Sequence, residues 1–420
     1  MKQSRDTADW RNVKLKDVCC EITVGHVGPM SSQYVAQGIP FLRSQNIEPF
    51  RLNRNDVKYI SSEFHSKLKK SALRPGDVAV VRTGYPGTAC VIPTNLPVAN
   101  CADLVIIRPS QAINSRFLVS IFNSTWGRGA VAGNLVGVAQ QHFNIGAAKE
   151  LVVRIPPIPT QRKIAAILSA YDDLIENNLR RIKLLEEMTQ NLYREWFVNF
   201  RFPGHQHTRF TDSPLGRIPE GWEVKALGKL ADQIRDGVSP DSVDPGTPYF
   251  GLEHLPRKSI TLADWGFANE VHSTKLLFKK GDILFGKIRP YFHKVGVAPL
   301  SGVCSSDTIV IRPRSTDLFG LILGCTSSAE FVEHATATSQ GTKMPRANWD
   351  VLVKYQVPMP RQPILGQFNE FMNDIVNQLH NFVFRNQTLR RTRDLLLPRL
   401  ISGEVDVSEL EITLPDEAAE

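Results

Sequence analysis

The sequence lacks the features of several protein classes. No run of about 18 uncharged apolar residues occurs among its 420 residues, so no transmembrane helix is expected. Its first residues, MKQSRDTADWRNVKLKD, are polar and charged and do not resemble the apolar core of a signal peptide. The six cysteines form no CxxC pair, so neither a zinc site nor a disulfide framework is expected. We therefore expect a cytoplasmic protein with reduced cysteines.

Motifs of catalysis and nucleotide binding are also missing. The stretch GDILFGKI ends at Ile288, where a P-loop needs the Ser or Thr that holds magnesium. The proline pair in IPPI (155–158) lacks the preceding Asn or Asp and the following aromatic residue of adenine methyltransferases. No GxSxG and no strand-linked GxGxxG occurs. We expect a non-catalytic chain that binds no metal and no cofactor.

The charge is positive and unevenly distributed. Fifty Lys and Arg against 42 Asp and Glu give a net charge of +8, which is compatible with a polyanionic partner without proving one. Basic clusters lie near Lys69 and near Arg391, whereas the segment after Gly403 is acidic. We predict that this acidic tail is mobile and solvated.

The chain is internally duplicated. W-R-N-V-K-L at Trp10 matches W-E-V-K-A-L at Trp222, and L-R-P-G-D-V matches F-K-K-G-D-I. L-V-I-I-R-P matches T-I-V-I-R-P, and P-I-P at Pro157 matches P-M-P at Pro358. The matching motifs occur in the same order in both copies, and the distance between the copies is far longer than the 20–50 residues of a solenoid repeat. A whole domain and its helix are therefore duplicated.

Each copy combines two kinds of segment. Short β-branched runs such as DVAVVRTG (77–84) and DTIVIRP (307–313) predict strands of a mixed α/β domain. A long helical pattern follows, with Thr160 as the predicted N-cap because Pro159 should block the helix upstream. The predicted fold is α+β, with these segments: domain 1 at 1–158, helix 1 at 159–200, a linker and domain 2 at 201–361, helix 2 at 362–402, and the acidic tail at 403–420.

Apolar residues in both helices recur with a heptad period. Each helix could pack only on its own domain, but two narrow stripes of equal length favour an antiparallel coiled coil between them. Asn178 and Asn386 interrupt the stripes, and we predict that they lie within about one helical turn of each other because buried polar groups need partners. The predicted seam consists of Leu168, Ile175, Asn178, Ile182, Leu185, Met372, Leu379, Phe382, Asn386 and Leu389.

The order of these motifs resembles that of the DNA specificity subunits of type I restriction-modification systems. The resemblance is carried by the two tryptophan motifs, the two Gly-Asp strands, PPIPTQRKIAAIL, NNLRRIKLLEEM (177–188), LYREWFVNFRFPGH (192–205) and RRTRDLLLPRLISGE (390–404). It covers nearly the whole chain, and the second helix entry departs from the pattern at Gly366 and Gln367, which replace Ala165 and Ala166.

The resemblance implies a function without turnover. Each domain would be a target recognition domain that reads one half of a bipartite, asymmetric sequence in double-stranded DNA. The paired helices would act as a spacer and would dock two methyltransferase subunits, with restriction and translocase subunits joining the complex. S-adenosylmethionine, ATP and Mg would then be bound by those partner subunits.

Candidate DNA contacts come from loops that combine basic or amide side chains with glycine or aromatic residues. Arg and Lys suit guanine, and Asn and Gln suit adenine. The candidates are Arg43, Gln45, Asn46, Arg82, Gln140, Gln141 and His142 in the first half, and Glu253, His254, Lys287, Arg289, Lys343 and Arg346 in the second.

Two other functions fit the sequence. A stand-alone DNA-binding regulator with duplicated recognition domains would bind its site without a methyltransferase. A coiled-coil scaffold whose basic charge is incidental would show no sequence preference.

Overall fold

The computed structural model describes residues 9–135 and 142–413, with only the backbone described at Glu270. The chain divides into two compact units. The first unit contains the residues up to Glu176 together with those from Thr388 onward, and the second contains Asn177–Gln387.

The first unit is built on two small sheets. An antiparallel four-stranded sheet has the order Ala89–Val91, Val78–Val81, Leu104–Pro109, Cys19–Val24. A mixed five-stranded sheet has the order Tyr34–Val35, Lys58–Ile60, Ile39–Leu42, Ala99–Cys101, Ala72–Leu73. Arg11–Lys14 pairs with Val152–Ile155, and Ile47–Glu48 pairs with Arg51–Leu52. The short helices are Leu15–Val18, Ser62–Lys67, Ser115–Asn123, Thr125–Ala132 and Ile145–Glu150.

The second unit repeats this arrangement. Its four-stranded sheet has the order Ala231–Ile234, Thr308–Pro313, Ile283–Gly286, Val295–Val297. Its five-stranded sheet has the order Gly237–Val238, Lys275–Phe278, Gly302–Cys304, Pro248–Phe250, Gly266–Phe267. Glu223–Ala226 pairs with Gln356–Met359, and Phe210–Ser213 forms a hairpin with Gly216–Pro219. The short helices are Phe319–Thr326, Ala329–Ala337 and Trp349–Leu352.

The repeated Gly-Asp and Arg-Pro motifs meet in each unit as a structural ion pair. Asp77 accepts from the backbone N–H of Arg74 and lies 3.5 Å from Arg108 on the neighbouring strand. Asp282 accepts from the backbone N–H of Lys279 and pairs with Arg312 at 2.6 Å. Both aspartates are buried. The motifs therefore hold a turn against the central strand, because a buried carboxylate must have its hydrogen bonds satisfied.

Two long helices complete the fold. The first spans Ile158–Tyr193 and continues as a π-helical turn over Arg194–Val198, and the second spans Gln362–Ile401. The prediction of Thr160 as N-cap is wrong, because the helix begins two residues earlier and the backbone N–H of Thr160 donates to the carbonyl of Pro157. Pro159 is tolerated there because the first turn of a helix leaves its N–H groups free.

Within the second unit, the two helices pack antiparallel. The Nδ2 atom of Asn178 donates to Oδ1 of Asn386 at 2.8 Å, which confirms the predicted contact. Trp196 packs on Phe368 with ring centroids 5.5 Å apart. Going from Asn178 forward to Trp196 and from Asn386 back to Phe368 covers equal numbers of residues, so one register holds along this part of the pair.

The first unit contains the start of the first helix and the end of the second. Leu168 is buried in the same core as Leu397 and Leu400. Arg393, at a heptad position, forms an ion pair with Asp172 at 2.6 Å and lies over the ring of Phe50. The helix ends thus pack on each other and on the sheet domain. The other predicted seam residues are buried, except for Leu185, Phe382 and Leu389, which are half-buried.

The prediction of a fully mobile tail is wrong for its first part. Val407 is buried in the core of the first unit, and the Lys163 ammonium donates to the carbonyl of Ser408 at 2.5 Å. Glu404 pairs with Arg399 at 2.9 Å. The apolar side chain at 407 gives this segment a core contact that its acidic composition conceals. The residues from 414 on lie outside the described part of the chain.

Candidate nucleic-acid interface

In the first unit, a cation and a carboxylate meet where a buried strand ends. Arg82 follows the strand Val78–Val81, and its guanidinium lies 3.6 Å from the carboxylate of Asp103, which the Thr83 hydroxyl also contacts. The Arg82 side chain is 18% exposed and that of Asp103 is 42% exposed. Among the described residues, the Nε of Arg82 has no hydrogen-bond partner. A partly buried positive group therefore lies at the rim of the sheet.

The loop FLRSQNI lies next to this pair, since the Ser44 hydroxyl is 3.5 Å from the carbonyl of Asp103. Arg43 and Gln45 both donate to the carboxylate of Asp56, at 3.1 and 3.2 Å. Hydrogen bonds from Lys58, and then from Arg43 and Gln45, lower the pKa of Asp56 to about 2. Arg43 and Gln45 are therefore held in fixed positions at the surface.

The structure contradicts the prediction that Asn46 contacts DNA. Its side chain is fully buried, and its amide donates to the carbonyls of Asn53 and Asn55 while its Oδ1 accepts from the N–H of Arg43. An amide whose hydrogen bonds are used inside the loop has nothing left for a base. Asn46 shapes the loop that presents Arg43 and Gln45.

The segment VAQQHF also approaches Arg82. The backbone N–H of Phe143 donates to the carbonyl of Arg82 at 3.1 Å, and the Phe143 ring is fully buried. His142 is half-buried just before this anchor. Gln140 and Gln141, also predicted as contacts, lie outside the described residues.

The second unit carries the same arrangement. Lys287 follows the strand Ile283–Gly286, and its ammonium lies 3.7 Å from the carboxylate of Asp307 and donates to the carbonyl of Ser306 at 2.7 Å. Arg346 lies 3.7 Å from the same carboxylate. The backbone N–H of Ala347 donates to the carbonyl of Lys287 at 2.9 Å, as that of Phe143 does to Arg82.

Two further predicted residues lie on these loops. Arg289 adopts a left-handed backbone conformation (φ 50°), its N–H donates to the carbonyl of Pro345, and its guanidinium lies 5.9 Å from the ring centre of Phe292. Lys343 is exposed on the loop before Arg346. The structure thus brings FGKIRPYF and GTKMPRANW together, as it does for their counterparts in the first unit.

A cleft of about 440 Å³ opens beside Lys287 and Arg346. Its wall also contains Arg235, whose Nε donates to Oε1 of Gln233 at 2.7 Å. The other lining residues are Leu276, Ser306, Ile309, Gln340, Ala347, Asn348 and Trp349. Lys287 and Arg346 lie near Asp307, and Arg235 lies 4.0 Å from Asp350. Three cations on its wall make this cleft suited to a negatively charged or acceptor-rich ligand.

The predicted contacts Glu253 and His254 lie side by side, with the Nδ1 of His254 3.9 Å from the Glu253 carboxylate. The Nδ1 of His254 accepts from the N–H of Gly251 at 3.0 Å, and its ring packs edge-on against Tyr249. His254 therefore closes its own turn through Nδ1, and its half-buried side chain stays a predicted base contact. The Glu253 side chain is 67% exposed and stays a candidate.

Sequence reasoning missed Asp103 and Asp307, which hold the cations in place, and the cleft residues Gln233, Arg235 and Gln340. A signal for the aspartates was present, because each precedes the central strand of its copy at the matching position. No comparable signal marks these cleft residues, which come from two segments that are distant in sequence.

Residues 9–135 and 142–413 lack two further kinds of feature. In that part of the chain, no helix is long and apolar enough to span a bilayer. The same residues contain no cluster of three His, Cys, Asp or Glu side chains placed to hold a metal ion.

Comparison with known proteins identifies relatives along the whole chain. Residues 7–187 match the family model of the type I restriction modification DNA specificity domain. The specificity subunit of the type I restriction enzyme MjaIX from Methanocaldococcus jannaschii is 24% identical over 419 residues, which cover 96% of this chain and 95% of that protein. The EcoDI specificity subunit from Escherichia coli is 25% identical over 288 residues, which cover 62% of this chain and 64% of that protein.

A solved structure shares the fold. The type I restriction-modification S subunit from M. genitalium matches with a TM-score of 0.60 at 12% identity, over 95% of this chain and 97% of that one. The duplicated sheet domains, the paired helices and the matches in sequence agree. Residues 7–187 thus match a type I restriction modification DNA specificity domain, and the chain is similar over nearly its whole length to a type I restriction enzyme specificity subunit in sequence and to an S subunit in fold.

Proposed function

We propose that this chain is the non-catalytic DNA-recognition subunit of a type I restriction-modification complex, in which each unit reads one half of a bipartite, asymmetric target. The observation that carries the proposal is the strand-end cation and carboxylate found in both units, Arg82 with Asp103 and Lys287 with Asp307. Next to each pair, a second loop is anchored by an equivalent backbone hydrogen bond. The N–H of Phe143 donates to the carbonyl of Arg82, and the N–H of Ala347 donates to the carbonyl of Lys287.

The chemistry of these pairs suits double-stranded DNA. Arg or Lys contacts the O6 and N7 acceptors of guanine, and a carboxylate accepts from the N4 amine of cytosine. Cations at the rim also neutralise phosphates, which gives affinity without sequence information. Exchange of the ion pair for base and phosphate contacts therefore supplies both selectivity and binding energy.

The helix pair serves as the spacer in this proposal. Two linked recognition domains gain affinity because binding by one raises the effective concentration of the other at its half-site. If both approach one face of the DNA, the half-sites lie about 34–36 Å apart, one turn of the double helix. Insertion of equal segments into Ile158–Tyr193 and Gln362–Ile401 should then change the tolerated gap and leave both half-site sequences unaltered. New half-site sequences in these variants would refute the spacer role.

Partner subunits supply the chemistry. We propose that two methyltransferase subunits, which bind S-adenosylmethionine, dock on this chain, and that restriction subunits which use ATP and Mg join them. A large adenine methyltransferase should therefore co-purify with the full-length chain. A chain that binds its site tightly without such a partner would instead be a stand-alone regulator.

Methylome sequencing of cells with and without this gene tests the central claim. We expect one split motif to lose adenine methylation when the gene is absent. In cells that carry Arg82→Ala, one position of one half-site should become degenerate, whereas Lys183→Ala, at an exposed helix position, should leave the motif unchanged. A methylome that is the same with and without the gene would refute recognition by this chain.

A further inference from the structure

Each unit presents an exposed tyrosine next to a proline in the loop that follows the strand-end cation. In the first unit, the loop 82–88 carries Tyr85 before Pro86, and the Tyr85 side chain is 84% exposed. In the second unit, the loop 287–294 carries Tyr291 after Pro290, and the Tyr291 side chain is 50% exposed. The strands on both sides of these loops pair in the same register, and the second loop is one residue longer.

The backbone around Tyr85 is held in place although its ring is not packed. The N–H of Thr88 donates to the carbonyl of Tyr85 at 3.2 Å, and the N–H of Gly87 donates to that of Val81 at 3.0 Å. A Cβ added at Gly87 would lie 3.3 Å from Val131, so the loop lies close against the neighbouring helix. The ring therefore projects from a fixed base and is not part of a loose segment.

The second loop is fixed in a different way. Arg289 and His293 both have left-handed backbone conformations, and the imidazole of His293 bonds the carbonyl of Ser327 at 2.8 Å. The carbonyl of His293 accepts from the N–H of Lys258. Tyr291 lies edge-on against Phe292, with ring centroids 4.9 Å apart, and the guanidinium of Arg257 lies 3.9 Å from the centre of that ring.

A single exposed aromatic residue needs no explanation. Here two loops of different sequence and length each keep an exposed ring within four residues of a cation at the candidate interface. An exposed ring adds little to the core of its own unit, so the recurrence points to a ligand. Aromatic rings next to Arg or Lys suit nucleic acid because a ring can stack on a base while the cation contacts phosphate.

We propose that Tyr85 and Tyr291 each stack on a base of the half-site that their own unit reads. This inference rests on the proposed function and adds to it the residues that make aromatic contact with DNA. The ring is the contacting group, so phenylalanine should replace tyrosine at both positions and alanine should not.

The test measures binding of the full-length chain, together with its co-purifying methyltransferase, to the duplex that methylome sequencing identifies. Tyr85→Ala and Tyr291→Ala should each weaken binding about 5-fold to 100-fold, the range for loss of one stacked base. Tyr85→Phe and Tyr291→Phe should bind like the unmodified protein. Because both side chains are exposed, the melting temperature should not change in any of the four variants.

A cross-linking experiment locates the contact. Thymines of each half-site are replaced one at a time by 5-iodouracil, and the complex is irradiated. We expect a cross-link to Tyr85 from one half-site and to Tyr291 from the other. Alanine variants that bind like the unmodified protein, or phenylalanine variants that lose as much as alanine, would overturn the inference. Loss of the methyltransferase from the alanine variants would overturn it too, since the rings would then contact protein.

DNA binding by the unmodified protein distinguishes a failure of this inference from a failure of the proposed function. If it does not prefer the methylated motif over a scrambled duplex, the proposed function fails. If it does prefer the motif while the alanine variants bind equally well, only the role of the tyrosines fails.

Discussion

Asn178 donates a hydrogen bond of 2.8 Å to Asn386 inside the helix pair, where both side chains are at least 96% buried. The same two helices carry apolar residues of one hydrophobic core, including Ile182, Leu185 and Leu379. A shift of either helix by one residue would leave two buried amides without this partner. The contact therefore selects one register among those that the apolar seam alone would permit.

Replacement of one asparagine should be costly, and replacement of both should not be. Asn178→Leu leaves the Asn386 amide buried without its partner, which should lower the free energy of unfolding by about 1–3 kcal/mol. The double variant with Asn386→Leu should recover most of that loss because no buried polar group remains. Urea unfolding of the single and double variants gives the coupling energy. Asn177→Leu is the matched control, since Asn177 is the exposed neighbour of Asn178. If the effects of Asn178→Leu and Asn386→Leu on the free energy of unfolding were additive, the pairing would be contradicted.

The helix pair could be predicted from sequence because a heptad period reports directly on which side chains face a partner of equal length. Recognition residues carry no such period. Gln45 and Asn46 are adjacent and chemically alike, yet one is exposed and the other fully buried, since only Asn46 meets the carbonyls of Asn53 and Asn55. The carboxylates of Asp103 and Asp307 acquire their role from strands that are distant in sequence. The duplicated motifs locate the site in the sequence. Contacts between residues that are distant in sequence decide which side chains are exposed there.

Glu186 ties the first long helix to the sheet domain of the second unit. One carboxylate oxygen accepts from the Ser259 hydroxyl at 2.5 Å and from the Thr261 backbone N–H and hydroxyl at 3.0 and 2.7 Å. Thr261 is 6% exposed, so Glu186→Ala leaves its buried hydroxyl without this acceptor and should cost about 1–3 kcal/mol of unfolding free energy. Glu187→Ala, one residue along and exposed, should cost about 0.5 kcal/mol or less. Equal denaturation midpoints for the two variants would argue against this anchor.

His380 should make the second unit sensitive to acid. Burial, followed by the nearby charge of Lys280, lowers the pKa of His380 to about 4, and its side chain is 7% exposed. The unfolded chain takes up this proton near pH 6.5 and the folded chain only near pH 4. The buried, neutral His380 therefore costs no stability above about pH 6.5. The free energy of unfolding falls as the pH drops from there towards 4, by on the order of 2–3 kcal/mol.

Thermal unfolding of the full chain between pH 4 and 7 tests this dependence. His380→Leu should flatten the fall in stability over that range, because the titrating group is gone. His272→Gln changes an exposed histidine and should keep the slope of the unmodified protein. A slope that survives in His380→Leu would assign the acid sensitivity to other groups.

Asp307 should restrain binding to DNA of unrelated sequence. Its carboxylate lies 3.7 Å from both Lys287 and Arg346, so it offsets part of the positive charge that phosphates would meet. Asp307→Asn removes that charge and frees two cations. Affinity for a scrambled duplex should rise, and the plot of log K against log salt should steepen by about 1–2 units, since each further phosphate contact adds about 0.9.

Specificity should fall in the same variant, because the affinity gained is independent of base sequence. The ratio of binding to cognate and scrambled duplexes, measured by fluorescence anisotropy at several salt concentrations, gives both quantities. Asp241→Asn, an exposed aspartate of the same unit, changes the net charge equally and serves as the control. If Asp241→Asn steepened the salt dependence as much as Asp307→Asn, the effect would come from overall charge. A steeper slope confined to Asp307→Asn identifies the carboxylate between Lys287 and Arg346 as the group that limits contact with phosphate.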